Sequence, residues 1–149
     1  MNTDVMFSSK TDQWETPQDL FDKLNLEFRF TLDPCADENN HKCEKYYTKE
    51  NDGLSQCWDG ERVFCNPPYG RKIGSWVRKC YFHSKTGNGM SVMLIPARTD
   101  TRWFHEYIYN KNHVEIRFLK GRLKFGGSKN SAPFPSMIVI FGQSNAQER

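Results

Sequence analysis

No stretch of the 149-residue chain approaches the roughly 20 consecutive apolar residues of a membrane span. Met1 to Thr11 is polar and has no apolar centre, so no secretory signal is expected and the expected location is the cytoplasm. The five cysteines, Cys35, Cys43, Cys57, Cys65 and Cys80, are odd in number, and none sits in a C-x-x-C pair. That argues against a disulfide framework and against zinc. His41 and Cys43 lie close together, but no second pair has ligand spacing, so no metal is expected and the cysteines read as free thiols. There is no internal repeat and no low-complexity tract. Hydrophobic residues make up only 37% of the chain and mean hydropathy is -0.78, yet 14% of the residues are aromatic. That aromatic share supplies buriable surface and argues against disorder beyond the ends. The length suits one domain.

Acids are missing altogether between Arg62 and Thr99. Residues 1–61 carry 14 acids and 6 bases, a net −8, whereas residues 62–149 carry 15 bases and 4 acids, a net +11. The sum is the modest +3 of the whole chain. Such a split suggests two faces with different partners, the basic one suited to a polyanion. The plainer alternative is a soluble protein with uneven surface charge.

Residues 1–12 read as a flexible arm, 13–141 as one domain and 142–149 as a flexible tail. Thr16-Pro17 opens a helix, with Thr16 as the cap, Asp19 near the positive end of the dipole, and Leu20, Phe21 and Leu24 on the apolar face. Alternation over Phe28 to Leu32 predicts a strand ending at Asp33-Pro34. The polar stretch from Cys35 to Asp59 offers little beyond a short helix and a strand near Tyr46-Tyr47. Arg62 to Cys65 is a strand stopped by Asn66-Pro67-Pro68. Ile73, Trp76, Val77, Cys80 and Tyr81 mark a helix ended by Gly87-Asn88-Gly89. Strands follow at Ser91 to Ile95, Val114 to Leu119 and Met137 to Phe141, with a helix face at Trp103, Phe104, Tyr107 and Ile108. Gly121 to Gly127 looks like a hairpin arm with its turn. The class is α/β, with a mostly parallel sheet and an antiparallel hairpin at its end. Asp33, Asn66 and Pro96 then share the rim of strand ends where ligands bind in such sheets.

The sharpest chemical signal is Asn66-Pro67-Pro68-Tyr69. The rigid turn offers a carboxamide oxygen and a backbone carbonyl as acceptors, and the prolines have no N–H to occupy them. A planar amino group, such as the exocyclic amine of a flipped adenine or cytosine, can donate to both while Tyr69 stacks on its ring. The alternative is an ordinary exit from a strand.

These residues, with Trp14-Glu15-Thr16-Pro17-Gln18-Asp19-Leu20-Phe21, Phe30-Thr31-Leu32-Asp33-Pro34-Cys35-Ala36, Asn51-Asp52-Gly53-Leu54, Leu94-Ile95-Pro96-Ala97-Arg98-Thr99, and Gly121-Arg122-Leu123-Lys124-Phe125 leading to Ala132-Pro133-Phe134-Pro135, stand in a distinctive order. In that order the sequence resembles S-adenosylmethionine-dependent DNA N6-adenine methyltransferases of the small phage Dam type, over residues 13–141. The resemblance implies a Rossmann-like methyltransferase fold, S-adenosyl-L-methionine as cofactor and double-stranded DNA as partner, with the protein a monomer or a homodimer. It assigns catalysis to Asn66, Pro67, Pro68 and Tyr69. It assigns the cofactor's methionine carboxylate to Thr16 and Pro17. Asp33, with Pro34 and Ala36 in the following turn, falls to the cofactor's amino group, and Asp52, Gly53 and Leu54 to its adenine. Read alone, Asp33 and Asp52 are turn residues. NPPY also occurs in methyltransferases that act on RNA adenines or protein glutamines, and an inactive nucleic-acid-binding module is the third reading.

One departure from the related pattern is Asp37-Glu38-Asn39-Asn40, where most related enzymes have a glycine-rich turn. An asparagine in the left-handed region would keep that turn possible, and the phage type also carries a non-glycine turn. No Pro-Cys nucleophile of the kind used in cytosine-C5 chemistry is present. Phe134, and after it Phe125, are the candidates for the second face of the flipped base, though either could be core. Arg71, Lys72, Arg78, Lys79, Arg98, Arg102, Arg122, Lys124 and Lys129 are the candidate phosphate contacts, of which about half are expected to matter.

Overall fold

The computed structural model describes residues 14–142; the arm over 1–12 and all of the tail beyond Gly142 lie outside the described residues. The first element is helix α1 (Gln18–Phe28). Its buried residues are Phe21, Leu24 and Phe28, while Leu20 is half-buried. Sequence reading puts Thr16 at the cap, but the N-cap is Pro17 and no side chain caps the helix. Asp19 sits in the first turn, where its Oδ1 accepts the Leu20 N–H at 2.9 Å. The helix runs through Phe28 and ends at Arg29, whose φ of 53° is left-handed. The strand expected over Phe28 to Leu32 shrinks to β1 (Leu32–Asp33) because Phe28 fits both periods and packing places it on the helix.

Strand β2 (Lys45–Tyr46) falls where the tyrosine pair suggested, followed by a 3-10 turn at Gly53–Ser55. Strand β3 (Arg62–Cys65) matches its expected bounds. Helix α2 (Ile73–Thr86) runs to Gly87, and β4 (Met90–Pro96) adds a residue at each end of the expected strand. Phe104–Ile108 forms one π-helical turn, and the sheet is completed by β5 (Val114–Phe118) and β6 (Ser136–Phe141). The hairpin arm expected at Gly121 to Gly127 is not a strand. Gly126 forms an isolated antiparallel bridge to Glu15, and the Leu123 carbonyl accepts the Ala132 N–H at 2.7 Å. The antiparallel part of the sheet is β4-β6-β5 instead.

The six strands lie in the order β2-β1-β3-β4-β6-β5, with β6 antiparallel to both neighbours and the β2-β1-β3-β4 run parallel. Every residue of β4 and β6 is buried, as expected for strands covered on both faces. Along β3, alternation divides the layers. Phe64 meets Phe21 of α1 at 5.2 Å between ring centroids, while Cys65 on the opposite face is wholly buried on the side of α2 and Cys80. The amino ends of the parallel strands are tied by Glu61, which accepts from Thr31 Oγ1 at 2.6 Å and pairs with Lys45.

From β1 the chain passes outward to β2, then returns to the other side of β1 as β3. At such a reversal the connections diverge and leave a crevice beyond the strand ends. Asp33 ends β1 and Asn66 follows β3, so both stand on that crevice; Pro96 ends β4 on the same rim.

Truncating the wholly buried Ile140 in β6 to alanine should cost about 2–5 kcal/mol in urea unfolding. Ser136→Ala should leave stability unchanged or raise it, because the Ser136 hydroxyl is buried with no partner among the described residues.

Candidate active site

Two cavities open at the crevice. One, of about 400 Å³, is lined by Trp14, Thr16, Asp33, Asn66 and Pro67; the other, of about 530 Å³, by Pro34, Asp52, Gly53, Leu54, Pro68 and Trp76. They share Cys35, Ala36 and Asn66, so Asn66 stands at their junction.

The carboxamide of Asn66 is fully constrained on one side. Its Nδ2 donates to the Trp14 carbonyl and, at 2.9 Å, to Thr16 Oγ1. Both amide hydrogens are therefore used, and a flipped amide would set its oxygen against the Trp14 carbonyl. Oδ1 is buried and has no partner among the described residues. A buried acceptor without a donor is costly, and this one belongs to the residue at the junction of the two cavities. The Pro67 carbonyl likewise takes part in no described hydrogen bond.

Asp33 is buried, and its carboxylate accepts the N–H groups of Cys35 at 3.3 Å and Lys42 at 2.8 Å. Burial raises its pKa above the ordinary aspartate value, and the two backbone bonds offset part of that rise. The turn role and the cavity role thus coexist: the same carboxylate ties the 34–42 loop and lines the cavity. Within that loop Asp37 and Asn40 exchange two backbone hydrogen bonds of 3.1 Å, and Asp37 Oδ1 accepts the Asn39 N–H. No residue from 36 to 40 has a positive φ, so the turn forms without glycine and without the left-handed asparagine that sequence reading invoked.

Asp52 is left-handed, with φ 58°, and its exposed carboxylate makes no hydrogen bond among the described residues. A non-glycine residue held there stores on the order of 1 kcal/mol of strain. Gly53 is needed for close approach, since a Cβ would lie 2.4 Å from the Pro34 carbonyl oxygen. Lys79 donates to the carbonyls of Leu54 at 2.9 Å and Gln56 at 2.6 Å and lies over Trp58. It braces the loop that carries Leu54.

Pro17 and Tyr69 line neither cavity. Tyr69 is 6% exposed and its hydroxyl donates to the Leu94 carbonyl at 3.0 Å. Burial pushes its pKa well up, so it stays a neutral donor. Its ring meets Phe134 at 5.6 Å and Phe125 at 6.4 Å, edge-on. The three predicted aromatic residues thus form one cluster, completed by Trp14, which meets Phe125 and Phe134 edge-on at 5.4 and 5.2 Å. Phe125 is wholly buried, whereas Phe134 and Trp14 are half-buried.

Arg71, Lys72, Arg78, Arg98, Arg102, Arg122, Lys124 and Lys129 are all exposed, and none pairs with a carboxylate among the described residues. Lys72 also lines the second cavity beside Asp52. Sequence reading missed Lys42 and Trp76 as cavity walls. Neither carries a local signal, because only the loop path and the α2 packing bring them there.

His41 stacks on Tyr46 at 3.8 Å and its Nδ1 meets the Cys43 carbonyl, while burial pushes the Cys43 thiol up to about 12. Among the described residues no group of three or more His, Cys, Asp or Glu side chains is placed to hold a metal ion, and all five cysteines are free thiols.

Residues 4–148 match the family model described as DNA N-6-adenine-methyltransferase (Dam). The chain belongs to this family. A relative from Haemophilus phage HP1, named DNA N-6-adenine-methyltransferase, is 29% identical over 140 residues, covering 89% of this chain and 80% of its own. A protein of the same name from Escherichia phage T1 is 33% identical over 114 residues, covering 75% of this chain but 46% of its own length. The putative methyltransferase YfdM of Escherichia coli K12 is 42% identical over 66 residues, 39% of this chain and 71% of that protein. The α/β sheet described above is consistent with a methyltransferase fold.

Gly53→Ala should destabilise the Dam-family chain by more than about 1 kcal/mol in thermal unfolding, because the clash is with backbone that cannot swing away.

Proposed function

We propose that the chain transfers a methyl group from S-adenosyl-L-methionine to the exocyclic N6 amine of an adenine flipped out of double-stranded DNA. The observation that carries this reading is the buried, donorless Asn66 Oδ1 at the junction of two cavities, in a family named for DNA adenine methylation. The residues present fit the cofactor. A cavity with the Asp33 carboxylate suits an amino-acid moiety, and a cavity with the unengaged Asp52 carboxylate, Leu54 and Trp76 suits a purine and its amine. Thr16, Pro34, Ala36 and Gly53 line the same walls; Pro17 supports them from the start of α1.

When bound, the cofactor supplies an electrophilic methyl group on a sulfonium. Asn66 Oδ1 and the Pro67 carbonyl accept the two hydrogens of the target amine, which draws the nitrogen lone pair away from conjugation with the ring and toward attack. Pro68 keeps the turn rigid and contributes no competing N–H. Tyr69 is anchored through its hydroxyl to Leu94, and its ring takes one face of the base, with Phe134 or Phe125 opposite, once the edge-on cluster these rings form parts to admit it. No covalent enzyme intermediate is required, and the extra proton on the methylated nitrogen is released to solvent water. The unpaired cations at Arg71, Lys72, Arg98, Arg102, Arg122, Lys124 and Lys129 supply phosphate contacts and a steep salt dependence.

The test is transfer of labelled methyl from the cofactor to unmethylated duplex DNA, to RNA and to protein. Label in N6-methyladenine of DNA, lost by at least about a hundredfold in Asn66→Ala, is the expected outcome. Label in cytosine, in RNA or in protein, or full activity of Asn66→Ala, overturns the reading.

Asp33 adds a pH prediction. Its pKa is raised by burial, so its charge is lost at higher pH than that of an ordinary aspartate. Affinity for S-adenosylhomocysteine, measured by calorimetry, should be full above that pKa and fall as pH drops through it. Asp33→Asn should bind weakly and lose this pH dependence.

A further inference from the structure

We infer that Thr16, with the Trp14 carbonyl, is a positioning residue for Asn66, holding its carboxamide so that only Oδ1 faces the target amine. The inference rests on the transfer reaction proposed above and deepens it. A primary carboxamide has two donors and one acceptor oxygen, and a rotation by half a turn would present the wrong atom to an amine. Here the donors are accounted for one by one. Nδ2 donates to the Trp14 carbonyl and to Thr16 Oγ1, and Oδ1 is left buried with no partner among the described residues.

The threonine is itself buried, 4% exposed, and its hydroxyl makes no capping bond to α1. Its one described hydrogen bond is the one it accepts from Asn66. A residue between these two anchors fixes them further: the Glu15 carbonyl accepts the Gly126 N–H at 2.9 Å. Gly126 lies in the loop that carries the exposed Arg122, Lys124 and Lys129. Residues 14–16 therefore form a strap between the Asn66 carboxamide and a loop proposed to face DNA.

This differs from the role that resemblance gives Thr16, a contact to the cofactor's carboxylate, and the two predict opposite kinetics. Thr16→Val keeps the shape and removes the hydroxyl; Thr16→Ser keeps the hydroxyl. With both substrates saturating, Thr16→Val should lower kcat by about tenfold to a hundredfold, the effect of one lost hydrogen bond that orients a reacting group. The KM for S-adenosylmethionine should stay within about twofold, and Thr16→Ser should recover kcat to within about threefold. An unchanged kcat with a raised cofactor KM, or Thr16→Ser as slow as Thr16→Val, overturns the inference. Exchange of the Asn66 side-chain amide protons by nitrogen-15 NMR, assigned by their loss in Asn66→Ala, gives a reading independent of turnover. Both protons should be protected in the wild type and one should exchange freely in Thr16→Val; equal exchange overturns the clamp. Should the wild type transfer no methyl to DNA, the reaction falls, and the exchange measurement still decides the clamp.

Discussion

Everything at the site depends on the strand reversal at β1. Because β2 and β3 flank β1 on opposite sides, the segments leaving the strand ends diverge and cannot close over the rim. That divergence sets Asp33 beside Asn66 and leaves two joined cavities between their loops. The opposite rim is cross-linked by side chains. There Glu61 links Thr31 before β1, Lys45 in β2 and the start of β3 into one network.

Within the crevice, polar groups are distributed unequally between scaffold and site. Asp33 spends hydrogen bonds on the loop that follows it, and Lys79 spends its charge on the carbonyls of Leu54 and Gln56. Asn66 does both at once: its nitrogen belongs to the scaffold and its oxygen to the cavity. Strain follows the same division, with Asp52 held left-handed beside the second cavity and its carboxylate left unengaged. At this crevice the unpaired Asn66 Oδ1 and the strained Asp52 stand where a ligand would relieve them.

The charge asymmetry also acquires a structural meaning. The change from acidic to basic falls at Arg62, the first residue of β3, so the strand that ends at Asn66 opens the basic half. The acids Asp33 and Asp52 border the cavities, while the exposed cations follow in the turns after β3 and β4 and in the 120–129 loop. Their freedom from carboxylate partners is what leaves their field available to a polyanion.

Local chemistry was enough to reveal β3, whose end is forced by two prolines, and α2, whose apolar spacing and Gly-Asn-Gly exit are unambiguous. It also placed Asp33 and Asn66 on one rim, since α/β alternation leaves few topologies. It failed where a residue satisfies two patterns at once. Phe28 fits a helix face and a strand alternation, and packing on Phe30 and beneath Arg117 placed it in the helix. The hairpin expected after Gly121 is a loop closed by the Leu123–Ala132 and Phe125–Ser128 backbone bonds, and its Gly126 pairs with Glu15, more than a hundred residues earlier. Thr16 reads as a cap from its neighbours, yet its hydroxyl is taken by Asn66, 50 residues away. Sequence alone determined which chemical groups are present and which strand ends carry them, because turns and periodicity are local. Only the tertiary structure decided which hydrogen bonds those groups spend on each other, and therefore which atoms remain for a ligand.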